Sequence, residues 1–198
     1  MKQVSAGLLF SFLLLPFAMI YAQNTTDYLG IKGSLSFQKK AYNLAWSSHP
    51  ASGYYKQEYL QKDDNLSGFK SMMLLEVLSG SAKLADVVAT KVNELKGLKK
   101  TNPMVQFELL NNEKTGEYLL DFLLSANAPD GSPSIVERNV YRYKTITDKN
   151  GKAGILLFGI SSRAYGKDIN PFLKELKTTK GVLVNDVLRF ILPAVRFE

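Results

Sequence analysis

Residues 118–124 and 155–160 are apolar at nearly every position, whereas strands with one wet face alternate apolar with polar residues. Because successive side chains of a strand point to opposite faces of a sheet, such segments need cover on both faces. They belong to four predicted strands whose short connections favour antiparallel neighbours. These strands are predicted at residues 105–110, 117–125, 134–145 and 154–162.

Two amphipathic segments can provide this cover. Between residues 84 and 98, apolar side chains recur every three or four positions, as on one face of a helix. The second segment has Asn170 as a good N-cap, Pro171 in the first helical position, and a pattern that runs to residue 191. Residues 178–181 leave open whether it is one helix or two. The predicted fold class is α+β, an antiparallel sheet with helices packed on both faces as an α/β/α sandwich.

The chain before the first predicted helix is expected to be mostly extended. Residues 41–47 and 52–60 have the composition of two strands, separated by the turn-like sequence Ser-His-Pro-Ala at 48–51. Acidic and amide residues can cap a short helical turn at 66–70. The apolar run at 72–78 is predicted to be a buried strand.

The first 22 residues have the parts of a cleavable signal peptide. A positively charged start is followed by an apolar stretch at residues 8–17, and cleavage is predicted between Ala22 and Gln23. The apolar stretch is short for a membrane span and has no stop-transfer charges behind it. Removal of residues 1–22 would leave residues 23–198 as a single α+β domain without a transmembrane span.

The chain contains no cysteine, and 25 basic against 18 acidic residues give a formal net charge of +7. Exported eukaryotic domains usually contain disulfides, so an exported chain without cysteine is more typical of a bacterial envelope. The basic excess favours anionic partners, although it is spread along the chain with no run of five or more like charges. We therefore expect a periplasmic or secreted protein. The expected partner is an envelope protein or an anionic lipid or polymer, and no nucleic acid.

Residue types that carry common catalytic or metal-binding chemistry are scarce. Without cysteine, and with His49 as the single histidine, the usual zinc ligand sets and a cysteine nucleophile are excluded. No nucleophile-elbow pattern accompanies His49, which is interpreted as an ordinary turn residue. Residues 148–151 resemble the start of a calcium loop, but the twelfth position is Gly159 and a hairpin turn explains them. The sequence predicts no catalytic, cofactor-binding or metal site.

The segment with most binding character is residues 137–144. Strand alternation places Arg138 and Arg142 on one face, where two guanidinium groups could grip an anion, with Tyr141 adding apolar contact. Arg138, Tyr141 and Arg142 are the candidate ligand patch. The competing interpretation is a strand whose arginines neutralise Glu137 and neighbouring acids.

Two hypotheses about function stay open at this point. The first is a non-catalytic binding or assembly module of the bacterial envelope. The second is a hydrolase that acts on an envelope polymer through strand carboxylates such as Glu58, Asp121 or Glu137. The second hypothesis requires two of these carboxylates in one pocket, with one pKa raised by burial. Strand carboxylates are more often partners in cross-strand ion pairs, which favours the first.

Residues 53–60, 117–124 and 136–143 resemble segments of an uncharacterised family of exported bacterial proteins. The resemblance spans most of residues 23–198. It implies a compartment and no activity, because the family offers no assigned catalytic residues to carry over. The order of elements is similar to that of the PsbP and Mog1 group, in which helices pack on an antiparallel sheet. This similarity of topology implies a binding or assembly factor.

Overall fold

A computed structural model describes residues 25–197, in which eight strands form one antiparallel sheet accompanied by two α-helices. The predicted fold class α+β is confirmed. The predicted signal peptide and its cleavage site lie outside the described residues. The elements in chain order are β1 (Leu35–Phe37), β2 (Lys40–Ala51), β3 (Tyr54–Leu60), β4 (Ser71–Ser79), α1 (Leu84–Lys99), β5 (Gln106–Asn112), β6 (Glu117–Asn127), β7 (Pro133–Thr147), β8 (Ala153–Tyr165) and α2 (Ile169–Arg189).

Strands β4 and β8 lie at the centre of the sheet, whose order is β1-β2-β3-β4-β8-β7-β6-β5. They pair from Ser71 with Ser162 to Ser79 with Gly154. The central part of β4 is buried at every position, as expected for a strand covered on both faces. Strands β5 to β8 form the antiparallel meander that the short connections predict.

Neighbouring side chains of β4 belong to two different apolar clusters. Met73 and Leu75 lie in a cluster that contains Val187 of α2. Leu74, between them, lies in a second cluster that contains Leu95 of α1. Each helix therefore packs against an apolar cluster of its own, and β4 contributes to both.

Strand β2 is longer than the sequence indicates. The predicted turn at 48–51 is part of β2, which ends at Ala51 paired with Tyr54 of β3. An irregularity in this pairing accommodates Pro50, which has no N–H to donate to a ladder. The turn lies instead at Gly53, whose φ of 77° is a conformation that glycine adopts without steric penalty.

Helix α2 starts earlier than predicted. A 3₁₀ turn, Gly166–Asp168, leads directly into it, and Asp168 occupies the N-cap position. The prediction of Asn170 as N-cap is therefore wrong, and Pro171 lies within the first helical turn, where a missing N–H is tolerated. No helix within residues 25–197 is long and apolar enough to cross a membrane.

Residues 178–181 do not interrupt α2, which is one helix. The hydroxyl groups of Thr178 and Thr179 both donate to the carbonyl oxygen of Glu175 at 3.0 Å. These bonds satisfy the two hydroxyl groups inside the helix.

The segment at 66–70 forms a turn and no helix. Asn65 Oδ1 accepts hydrogen bonds from two following backbone N–H groups. The Asp64 carboxylate accepts from the backbone of the residues that lead into β4. Asp64 and Asn65 therefore accept backbone hydrogen bonds, as capping residues do, but they stabilise a loop and no helix.

Candidate binding site

Arg138 of the predicted ligand patch is buried and fully engaged inside the protein. It is 3% exposed. Its Nε and Nη2 atoms each donate to the Asp121 carboxylate at 3.0 Å, and Nη2 also donates to the Lys180 carbonyl of α2 at 2.7 Å. This bidentate geometry is typical of strong arginine–carboxylate pairs. The Arg138 side chain therefore links its own strand β7 to β6 and to α2.

Arg142 supports the end of α2. Its Nε donates to Glu117 Oε2 at 2.8 Å. Its Nη1 donates to the carbonyl oxygens of Leu188 and Phe190 at 3.0 and 3.1 Å. The last carbonyl groups of a helix lack partners within the helix and favour a nearby cation. Arg142 therefore has a structural role in closing α2.

Tyr141, the third residue of the patch, lies on the opposite face of β7. It is 5% exposed, and its ring meets the Phe122 ring edge-to-face with centroids 5.0 Å apart. The structure therefore brings Arg138 and Arg142 into contact with α2 and the residue after it, and leaves Tyr141 in the cluster with α1. Ligand binding at the patch stays a prediction, and both guanidinium groups already have internal partners.

The ion pairs of Glu117 with Arg142 and Lys144 predict how the stability of the fold depends on pH. Burial raises the pKa of Glu117, but hydrogen bonds from Arg142 and Lys144 outweigh it and hold that pKa below its usual range. A glutamate whose pKa is lowered by folding stabilises the folded state at pH values above the ordinary glutamate pKa. This stabilisation is lost as the pH falls through the pKa that the glutamate has in the folded state. Glu117→Gln should therefore lower the free energy of unfolding by about 1–2 kcal/mol at neutral pH.

Urea unfolding across the acidic range measures this effect. The difference between wild type and Glu117→Gln should shrink as the pH falls below about 4. Glu113→Gln, at an exposed position, is the matched control and should change little at any pH. A difference for Glu117→Gln that is the same at neutral and low pH would contradict the assignment.

The three strand carboxylates of the hydrolase hypothesis lie at separate places. Glu137 pairs with Arg163 and lines one cavity, of about 100 Å³. Asp121 lines another, beneath α2. Glu58 lies 3.4 Å from Lys56 Nζ, and burial raises the pKa of Glu58. These carboxylates form no acid–base pair with one another at the two cavities.

A cavity of about 460 Å³ lies where the β2–β3 and β7–β8 hairpins meet residues 27–30 and 196–197, near the two ends of the described part of the chain, and we call it the terminal cavity. The sequence interpretation did not single it out. Its walls combine aromatic rings with one carboxylate, one guanidinium and one amide. The lining residues are Asp27, Tyr28, Gly30, His49, Tyr55, Asn150, Arg196 and Phe197.

Leu29 anchors the segment that supplies the first of these residues. It is fully buried. Its N–H donates to Gln57 Oε1 of β3 at 2.8 Å, and its carbonyl oxygen accepts from the Arg196 N–H at 2.9 Å. Because Leu29 is held from both sides, its neighbours in the chain have fixed positions at the rim of the cavity.

Aromatic rings form one wall of the terminal cavity. The His49 ring stacks on Tyr55 with centroids 4.3 Å apart and an interplanar angle of 12°. Tyr28 is tilted against both rings, at 5.7 and 6.4 Å, and Phe197 lies 6.3 Å from Tyr55. Such rings offer a flat apolar surface and a negative face for a cation.

Two opposite charges lie at the rim, Asp27 and Arg196. Both residues are exposed, and within residues 25–197 neither forms an ion pair. Gly30 has a φ of 67°, and a Cβ atom there would stand 3.0 Å from Arg196 Nε. Glycine at this position thus lets the guanidinium group lie against the backbone.

Asn150 comes from the β7–β8 turn at 148–151, which is the hairpin turn that the sequence predicts. Asp148 Oδ1 accepts from the N–H groups of Asn150 and Lys152, both at 2.8 Å. Asp148 Oδ2 is buried and has no hydrogen-bond partner in the described part of the chain. The Asp148 carboxylate therefore lies next to Asn150, which lines the terminal cavity.

His49 is a strand residue at this cavity, so its interpretation as an ordinary turn residue is wrong. The terminal cavity draws on parts of the chain that are far apart in sequence, and no local motif connects them. Within residues 25–197, no group of three or more histidine, aspartate or glutamate side chains is placed to hold a metal ion.

A protein-family model matches residues 29–190. The chain belongs to an uncharacterised family of bacterial type. No curated protein and no solved structure matches it. Asp27 and Arg196, the two charged residues of the terminal cavity, lie on either side of the span that the family model matches.

Proposed function

We propose that this protein is an exported, non-catalytic binding module of the bacterial envelope and that it binds its ligand in the terminal cavity. The observation that carries this proposal is the cavity itself, with an aromatic wall beside two charges that form no ion pair within residues 25–197. Binding sites for small molecules typically combine such apolar walls with a few polar groups that fix orientation.

The distribution of the other polar groups supports binding over catalysis. Arg138, Arg142 and Arg163 all bond to carboxylates within the protein. None of the eight residues that line the terminal cavity is a serine or threonine, so no Ser–His or Thr–His pair lines it.

Export to the envelope rests on the sequence. Residues 1–22 have the pattern of a signal peptide, and the chain lacks cysteine. The sequence alone predicts an envelope protein or an anionic lipid or polymer as the partner, whereas the terminal cavity has the size of a small-molecule site. The resemblance to exported bacterial proteins and to the PsbP and Mog1 group favours a binding or assembly role.

We also infer that α1 and α2 cover opposite faces of the sheet. Successive residues of a strand point to opposite faces. Leu74 packs with α1, whereas its neighbours Met73 and Leu75 pack with α2. None of the residues that line the terminal cavity belongs to either helix.

Export is tested by expressing the full chain in a bacterium and measuring the intact mass of the protein in each cell fraction. We expect the periplasm or the medium to contain a chain that starts at Gln23. A matched chain without residues 1–22 should stay in the cytosol. Recovery of the full-length chain from the cytosol alone would contradict the proposal.

Binding in the cavity is tested by nuclear magnetic resonance. Small molecules extracted from bacterial envelopes are added to the isotope-labelled protein, and the amide shifts are followed. We expect the changes to concentrate around Tyr28, Tyr55 and Asn150. Shift changes confined to α2, or none with any extract, would contradict a ligand site at the terminal cavity.

A further inference from the structure

We infer that the terminal cavity binds a small zwitterion with an apolar side chain, of the size of an amino acid or a dipeptide. This inference rests on the proposed function, because it names the ligand class of the same site. The groups that carry it are Asp27, Arg196 and the aromatic wall of Tyr28, His49 and Tyr55.

The two rim charges fit a ligand that carries both signs. A guanidinium group such as that of Arg196 binds a carboxylate through two parallel hydrogen bonds. The Asp27 carboxylate is a matching acceptor for an ammonium group, although one of its oxygens already accepts from the Leu29 N–H at 3.2 Å. Both residues line the same cavity without neutralising each other by an ion pair among the described residues.

A ligand with a single charge fits this rim less well. An anion would satisfy Arg196 and be repelled by Asp27, and a cation would meet the reverse arrangement. The carboxylate of Asp148, next to Asn150, adds negative charge on the side of the β7–β8 turn. The arrangement therefore discriminates by charge pattern and favours a zwitterion over either ion.

The aromatic wall supplies the remaining contact. The rings of Tyr28, His49 and Tyr55 have centroids within 6.4 Å of one another and can contact an apolar side chain or an ammonium group. The volume of about 460 Å³ lies within the range of sites for small molecules. Because Leu29 is hydrogen-bonded on both sides, the backbone beside Tyr28 and that of Arg196 are held before the ligand arrives.

Calorimetric titration of the purified protein with four probes tests this inference. The probes are L-phenylalanine, 3-phenylpropionate, which lacks the ammonium group, 2-phenylethylamine, which lacks the carboxylate, and glycine, which lacks the ring. We expect L-phenylalanine to bind about tenfold or more tightly than each of the other three. Titration with L-phenylalanyl-L-phenylalanine distinguishes a single amino acid from a dipeptide as the better fit.

Two variants test which ligand group each rim charge binds. Arg196→Gln should weaken L-phenylalanine about tenfold and leave 2-phenylethylamine unchanged, whereas Asp27→Asn should weaken L-phenylalanine similarly and leave 3-phenylpropionate unchanged. Arg189→Gln and Glu113→Gln change exposed residues outside the cavity and are the matched controls.

The outcomes separate this inference from the proposed function. If 3-phenylpropionate binds as tightly as L-phenylalanine, or if Arg196→Gln and Asp27→Asn behave like their controls, the zwitterion inference is overturned. If no probe binds at millimolar concentration while an envelope extract still shifts the amides around Tyr55, the binding proposal stands and the ligand class is wrong. If neither the probes nor an envelope extract binds, the binding proposal and the zwitterion inference are both wrong.

Discussion

Arg138→Met is expected to lower the free energy of unfolding by about 3 kcal/mol, because it leaves the Asp121 carboxylate buried without its counter-charge. The side chains of Arg138 and Asp121 are 4% and 6% exposed. The substitution also removes the donor to the Lys180 carbonyl. The ammonium group of Lys180 stands 3.9 Å from Asp121 Oδ2, too far for a hydrogen bond, and compensates only in part.

Removing both charges together should be much less damaging. In the double variant Arg138→Met with Asp121→Leu, no buried charge is left unpaired, and replacement of a buried ion pair by apolar residues is often neutral. Urea unfolding of the wild type, the two single variants and the double variant gives the coupling between the residues. We expect most of the stability lost in Arg138→Met to return in the double variant.

The control for this cycle is Arg189→Met, at an exposed position of α2. It should change the stability by less than about 0.5 kcal/mol. A loss of less than about 1 kcal/mol in the free energy of unfolding of Arg138→Met would contradict a buried ion pair between Arg138 and Asp121. It would again favour Arg138 as a residue that binds a ligand. Because the pair lies beneath α2, the double variant should bind L-phenylalanine in the terminal cavity as the wild type does.

The parts of the fold that the sequence predicts well are those encoded by local patterns. The nearly continuous apolar runs at 118–124 and 155–160 lie in β6 and β8, where residues 119–122 and 155–160 are buried. The apolar stripe at 84–98 became α1. Short connections allow few neighbours, so the order of the meander follows from their lengths.

The site could not be predicted in the same way, because long-range pairing creates it. The Ser-His-Pro sequence has the local signature of a turn, but pairing of Ala51 with Tyr54 extends β2 through it and places His49 on Tyr55. Alternation correctly places Arg138 and Arg142 on one face. Alternation carries no information that α2 packs beside these arginines, whose guanidinium groups donate to carbonyl oxygens at Lys180, Leu188 and Phe190.

Phe158→Ala is expected to lower the free energy of unfolding by about 3–5 kcal/mol, the usual range for a buried phenylalanine. Phe158 lies on the central strand β8 and is fully buried. Its ring stacks on Phe190, just after α2, with centroids 4.3 Å apart, and meets Phe37 of β1 edge-to-face at 6.1 Å. The ring therefore joins the centre of the sheet to β1 and to the segment that follows α2.

Phe107→Ala is the matched control, because Phe107 is only partly buried on the outer strand β5. It should lower the stability by about 1 kcal/mol. Phe158→Leu keeps most of the apolar volume and should recover a large part of the loss in Phe158→Ala. Similar losses for Phe158→Ala and Phe107→Ala in urea unfolding would contradict the central role of this ring.

The consequence for the terminal cavity follows from the same contacts. The N–H of Arg196 bonds to the carbonyl oxygen of Leu29, and both residues belong to segments that pack, directly or through β1, against the cluster around Phe158. In Phe158→Ala we therefore expect the Arg196 amide to exchange its hydrogen faster than in Phe107→Ala, even after correction for the global stability. Equal exchange of this amide in the two variants would mean that β3 alone holds the rim of the cavity, through the bond from Leu29 to Gln57.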